Sequence, residues 1–72
     1  MNIGNRIKYL RKEKLNLTQS EFAEKIGLKQ AAIGLYESGK RNVLDRVITD
    51  ICREFSVNED LLRTGKGEVF LE

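Results

Sequence analysis

The sequence predicts an all-α domain, and three observations carry that expectation. Apolar residues recur at intervals of three and four over most of the chain, the period of a helix with one buried face. No proline interrupts these runs. Residues that open or close helices bound them: Thr18, Asn42 and Asn58 at starts, and Gly27, Gly39 and Gly65 at ends. Five helices are expected over residues 1–65, leaving 66–72 as a tail.

Ile3, Ile7 and Leu10 set the first helix, from Ile3 to Lys14, with a largely basic remainder. Leu15, Asn16 and Leu17 form a connection. Thr18 opens the second helix and Glu21 follows three residues later, the spacing of a capping box. Phe22, Ala23 and Ile26 supply its buried face, and Gly27 ends it. The third helix runs from Gln30 to Ser38 with Ile33 and Tyr36 inward. Asn42 is expected to cap the fourth, with Asp45 in its first turn. Val43, Leu44, Val47, Ile48, Ile51, Cys52 and Phe55 form the longest apolar stripe. Asn58 caps a short fifth helix carrying Leu61 and Leu62. The tail holds Val69, Phe70 and Leu71 without helical period; Leu71-Glu72 reads equally as native chain or as a cloning remnant. The expected core is Ile7, Leu10, Leu17, Phe22, Ala23, Ile26, Ile33, Tyr36, Val47, Ile48, Ile51 and Phe55, with Cys52 as an inert core thiol.

Composition excludes several functions. With 72 residues there is room for one domain. One cysteine and no histidine leave no internal disulfide, no good zinc site and no imidazole-based catalysis. The scattered glycines make no phosphate-cradling loop. Neither a metal nor a cofactor is implied, and a core this small offers little room for a pocket around paired carboxylates. No apolar run reaches membrane-spanning length, the first residues do not form a signal peptide, and a lone cysteine suits a reducing cytoplasm. The net charge of +2 hides an asymmetry. Through Arg41, nine bases face four acids; from Asn42 on, four bases face seven acids. The first half suits a polyanion.

The stretch from Gln19 to Ser38 is the informative one. Two helices meet through a tight turn, with Ala23 small enough for a close crossing and Gly27 able to take positive φ. Phe22, Ile26, Leu28, Ile33 and Tyr36 seal the wedge between them. The runs Thr18-Gln19-Ser20-Glu21-Phe22-Ala23-Glu24-Lys25-Ile26-Gly27 and Tyr36-Glu37-Ser38-Gly39-Lys40-Arg41 resemble the phage repressor/Cro-type helix-turn-helix family of XRE-type regulators. The resemblance extends from Arg6 through Gly65.

That resemblance implies a lambda-repressor-like five-helix domain whose helices 2 and 3 form the helix-turn-helix, with the third helix entering the major groove. It implies phosphate contacts at Thr18, Gln19 and the positive end of the second helix, and at Ser38, Lys40 and Arg41. It also implies an ion pair between Arg11 and Glu37 that orients the reading helix. The outward positions of that helix, Gln30, Ala31, Gly34 and Leu35, together with Lys29, are the expected base readers. Only Gln30 pairs a donor with an acceptor as adenine requires. Two positions depart from the family pattern. Lys29 stands where a capping serine or threonine is common, a loss of about 1 kcal/mol. Val43 lies where a proline is frequent. The expected function is sequence-specific double-stranded DNA binding by a transcriptional regulator, a repressor of phage or mobile-element type, acting as a homodimer on a pseudo-palindromic operator. The alternative is an antitoxin-like module that binds a partner protein, suited to the acidic second half and apolar tail. Neither reading is enzymatic.

Overall fold

The computed structural model describes residues 2–71; the reading of Glu72 lies outside them. Helix α1 spans Ile3–Tyr9. Asn2 opens it by accepting a hydrogen bond from the Asn5 amide at 2.8 Å. The helix then widens rather than stopping: Leu10–Lys14 forms a π-helical turn, closed by the Leu15 amide on the Leu10 carbonyl at 2.9 Å. Asn16 takes φ 55°, a left-handed value that asparagine tolerates. The chain can therefore turn back so that the Leu17 amide reaches the Arg11 carbonyl.

Helix α2 covers Gln19–Lys25 behind a complete capping box. Thr18 Oγ1 accepts from the Glu21 amide at 3.0 Å, and Glu21 Oε1 accepts from the Thr18 amide at 2.9 Å. Helix α3 covers Gln30–Ser38 and stops at Gly39 in the left-handed conformation. Helix α4 spans Asp45–Phe55 and α5 spans Glu59–Thr64. Asn58 caps α5 by accepting from the Asp60 amide.

The architecture is all-α, as the spacing predicts. Ile7, Leu10, Phe22, Ala23, Ile33, Tyr36, Val47, Ile48 and Ile51 are buried. Leu17, Ile26 and Phe55 pack against them from half-buried positions. The Phe55 ring stacks on that of Phe22 with centroids 5.2 Å apart. Val57 and Leu62, outside the expected set, are fully buried.

Three expectations are corrected. The fourth helix starts later than Asn42: residues 42–44 lie outside the helix, and Leu44, extended, occupies the cap without a side-chain bond. Val43 packs against the core from this non-helical segment, and Leu44 is left 51% exposed, off the buried stripe. Cys52 is half-buried rather than central, at the rim of a shallow groove with Thr49, Arg53, Val57 and Leu71. The tail is also less irregular than its sequence suggests. Phe70 forms an antiparallel bridge with Val57, held by Asn58 N–H on the Val69 carbonyl and Leu71 N–H on the Ser56 carbonyl, both at 2.8 Å.

Candidate functional site

The site is built on α3. Its inward face, Ile33 and Tyr36, anchors the helix in the core, and Gln30 and Ala31 remain exposed. The turn before it is short. Leu28 donates its amide to the Ala23 carbonyl at 2.9 Å, folding the chain back over α2 where Ala23 has almost no exposed surface. Gly27 takes φ 73° there, and a Cβ on it would meet nothing within 4 Å. The demand on this glycine is thus conformational, not steric.

At the far end, the amides of Lys40 and Arg41 both donate to the Leu35 carbonyl, at 3.0 and 3.3 Å. These bonds satisfy the helix C-terminus and fix the backbone from which the two exposed cations depart. Ser38 Oγ donates to the same carbonyl at 3.2 Å. Lys29 occupies the N-cap with no side-chain capping bond. Its exposed ammonium stands at the positive end of α3. Cations therefore flank the exposed face of α3 at both ends.

Beneath this face lies a hydrogen-bonded chain. Arg11 Nε meets Glu37 Oε2 at 2.6 Å and Arg11 Nη2 meets Oε1 at 3.0 Å, a bidentate pair with side chains 8% and 4% exposed. Arg11 Nη1 also donates to the Leu17 carbonyl at 2.8 Å, the group that the π-turn brings into reach. Glu37 Oε1 takes a further bond from Gln19 Nε2 at 3.1 Å. Gln30 Nε2 then donates to Gln19 Oε1. Gln19, Gln30, Arg11 and Glu37 thus form one connected group that runs from the interior to the surface.

Lys29, Gln30, Ala31, Gly34 and Leu35 share α3 and its cap. Thr18 and Gln19 sit at the start of α2, and Ser38, Lys40 and Arg41 at the end of α3. Leu35 and Gly34 are half-buried, whereas Lys29, Gln30 and Ala31 are exposed. A Cβ on Gly34 would lie 3.7 Å from Gln19 Oε1, an ordinary contact, so nothing steric requires glycine there.

Two features escaped the sequence. Arg6 counts among the bases that suit a polyanion, but its Nε donates to the Leu62 carbonyl at 2.6 Å and its Nη2 to the Arg63 carbonyl at 2.8 Å. It closes the end of α5. The Gln19–Gln30 bond was also missed; two polar residues eleven apart signal nothing until the turn stacks the two helix starts. Among the described residues, no buried side-chain nitrogen or oxygen lacks a partner. None of their helices is long and apolar enough to cross a membrane.

The helix-turn-helix family profile matches residues 7–62. Antitoxin PezA of Streptococcus pneumoniae serotype 4 is 41% identical over 56 residues, covering 78% of this chain and 35% of the antitoxin. Control protein C.MunI of Mycoplasma sp is 46% identical over 43 residues, covering 60% of this chain and 58% of the control protein. The chain spans only part of the length of each. Among solved structures, the P22 c2 repressor protein in complex with a synthetic operator is similar with a TM-score of 0.78 at 21% identity, over 92% of this chain and 98% of that one.

Proposed function

The chain belongs to the helix-turn-helix family of DNA-binding, non-enzymatic transcriptional regulators, and from that premise we propose that it reads double-stranded operator DNA with α3 as a repressor-type regulator. The observation that carries this reading is the exposed face of α3, flanked by cations at both ends and holding Gln30 in a fixed orientation. Gln30 is the chief base reader. Lys29, Ala31, Gly34 and Leu35 line the groove beside it, the apolar members against thymine methyls. Lys40 and Arg41 grip phosphate, as do the hydroxyls of Thr18 and Ser38 and the backbone amides of Gln19 and the rest of the first turn of α2. Few hydrogen-bonding groups face the bases, so backbone contacts and DNA shape carry much of the affinity and selectivity.

One such domain covers about one half-site, and two copies related by a two-fold axis cover a pseudo-palindrome with centres about one helical turn apart. The pairing surface proposed is α5 with the tail, where Phe70 and Leu71 are 41% and 58% exposed. The bridge to Val57 leaves the backbone groups of Phe70 facing away from residues 56–58.

Selection of bound duplexes from a random DNA pool tests the reading. Recovery of a two-fold-related sequence whose binding falls steeply with salt supports it; no enrichment over the starting pool defeats it. A second reading, a protein-binding module, is favoured by the same exposed Phe70 and Leu71 and predicts no retardation of any duplex.

A further inference from the structure

We propose that Glu37, buried beneath the exposed face of α3, is a specificity-determining residue: acting through Gln19, it fixes which donor and acceptor Gln30 presents to DNA. This rests on the reading that Gln30 faces a base pair. The argument begins with what each group can do. A carboxylate only accepts hydrogen bonds. Glu37, engaged by Arg11 on both oxygens, therefore draws the amino group of Gln19 toward itself. Gln19 Oε1 is thereby turned outward. It can only accept, so Gln30 must offer its own amino group. One Gln30 hydrogen is consumed in that bond. What remains free is a single N–H and the Oε1 oxygen.

That remainder has a consequence for recognition. Adenine shows an acceptor at N7 and a donor at N6, which one N–H and one oxygen match. Guanine shows two acceptors, N7 and O6, and needs two donors. A free glutamine carboxamide has two N–H hydrogens and can serve guanine; a tethered one cannot. The ion pair in the interior is thus a polarity signal transmitted through two carboxamides, and it favours adenine over guanine. Gln19 and Glu37 are positioning residues here, since neither touches the base.

Glu37→Gln puts a group at this position that can donate as well as accept. Gln19 is then free to turn over, and its amino group can donate to Gln30 Oε1. Both Gln30 hydrogens are released outward, and guanine becomes acceptable. Because Glu37→Gln also leaves Arg11 without its charge partner, Gln19→Met provides a second break in the relay that spares the ion pair.

The test repeats the pool selection with the full chain carrying Glu37→Gln, Gln19→Met, Gln30→Ala or Lys40→Ala, and then measures affinities on duplexes differing only at the base pair assigned to Gln30. In the parent chain, adenine is expected to exceed guanine by about five- to 150-fold, the range of one good bidentate contact. Glu37→Gln and Gln19→Met should bring that ratio close to one. Lys40→Ala, which removes a charge and leaves the relay intact, should lower all affinities with the ratio kept. The side-chain amide resonances of Gln30 should shift in Glu37→Gln without DNA. If Gln30→Ala relaxes the position but the two relay variants retain the adenine preference, the relay is overturned and the base reading stands. If Gln30→Ala relaxes no position, the base reading fails and takes the relay with it.

Discussion

The Cβ that Gly4 lacks would lie 2.3 Å from the carbonyl oxygen of Tyr36. Helix α1 thus passes α3 at backbone-to-backbone range, directly under the helix that bears the proposed reading face. No side chain can occupy that space, and a carbonyl in a hydrogen-bonded helix cannot swing aside as a flexible side chain would.

Gly4 and Gly34 should therefore respond oppositely to alanine. At Gly4 the gain in helix propensity is outweighed by the clash, and Gly4→Ala should destabilise by about 1–3 kcal/mol. Gly34→Ala meets only the Gln19 carboxamide at contact distance and should stabilise by about 0.5–1 kcal/mol. Thermal melts check both signs, since 1 kcal/mol moves the midpoint by about 4–8 °C in a domain of this size.

The Arg11–Glu37 pair is buried, so breaking it on one side leaves a charge without its counter-ion. Glu37→Ala should cost about 3–5 kcal/mol, enough to unfold much of so small a protein. Replacing both members by methionine should recover most of that loss, because desolvation of both ions is then avoided. Urea titrations of the single and double variants compare the two. A double variant no more stable than Glu37→Ala would contradict the account.

Salt dependence separates the proposed phosphate ligands by charge. Lys40→Ala and Arg41→Ala should each weaken all duplexes about equally, and each should reduce the magnitude of the slope of log affinity against log salt by about 0.9. Gln19→Ala should weaken binding with little change in slope, since it releases Gln30 and removes no charge. Lys29→Ala distinguishes two roles for its cation: a reduced slope marks a phosphate contact, and a base-selective loss marks a guanine contact. Titrations on specific and random duplex at several salt concentrations read all of these.

Burial pushes the Cys52 thiol above its ordinary value, Glu59 adds to the rise, and Arg63 partly opposes it. At neutral pH the folded protein should therefore react with a thiol reagent more slowly than the unfolded chain, although Cys52 is half-buried. A raised folded value means that this group's contribution to stability is full below the ordinary thiol value of 9.0 and declines as pH rises through the folded value. Urea midpoints across that alkaline range should fall less in Cys52→Ser than in the parent.

Much of this was legible because local rules and global packing agree. Thr18 and Glu21 announce the start of α2, and Gly27 and Gly39 announce two ends that sit where expected. The misses have physical causes. Leu44 fits a helical stripe by spacing, but spacing does not say whether the first turn has begun. Val57 and Leu62 lie on short segments with too few neighbours to show a period, and tertiary docking buries them. Arg6 looks like any surface base, since a side chain that closes a helix end more than fifty residues away leaves no local sign. The face of α3 was legible; the carboxamide relay beneath it depends on the exact stacking of two helix starts.

Helix α5 has only six residues, far too few to persist alone. Yet it is fastened from several directions: Arg6 on its last carbonyls, Arg63 to Asp45 at 3.0 Å, Leu62 with no exposed surface, and the strand-like bridge just beyond. Releasing it means withdrawing Leu62 from the core that α1 and α4 share. The C-terminal third consequently has no low-energy way to peel off first, and its slowest-exchanging amides should report the same opening free energy as those of α1. The domain should melt as one foldon.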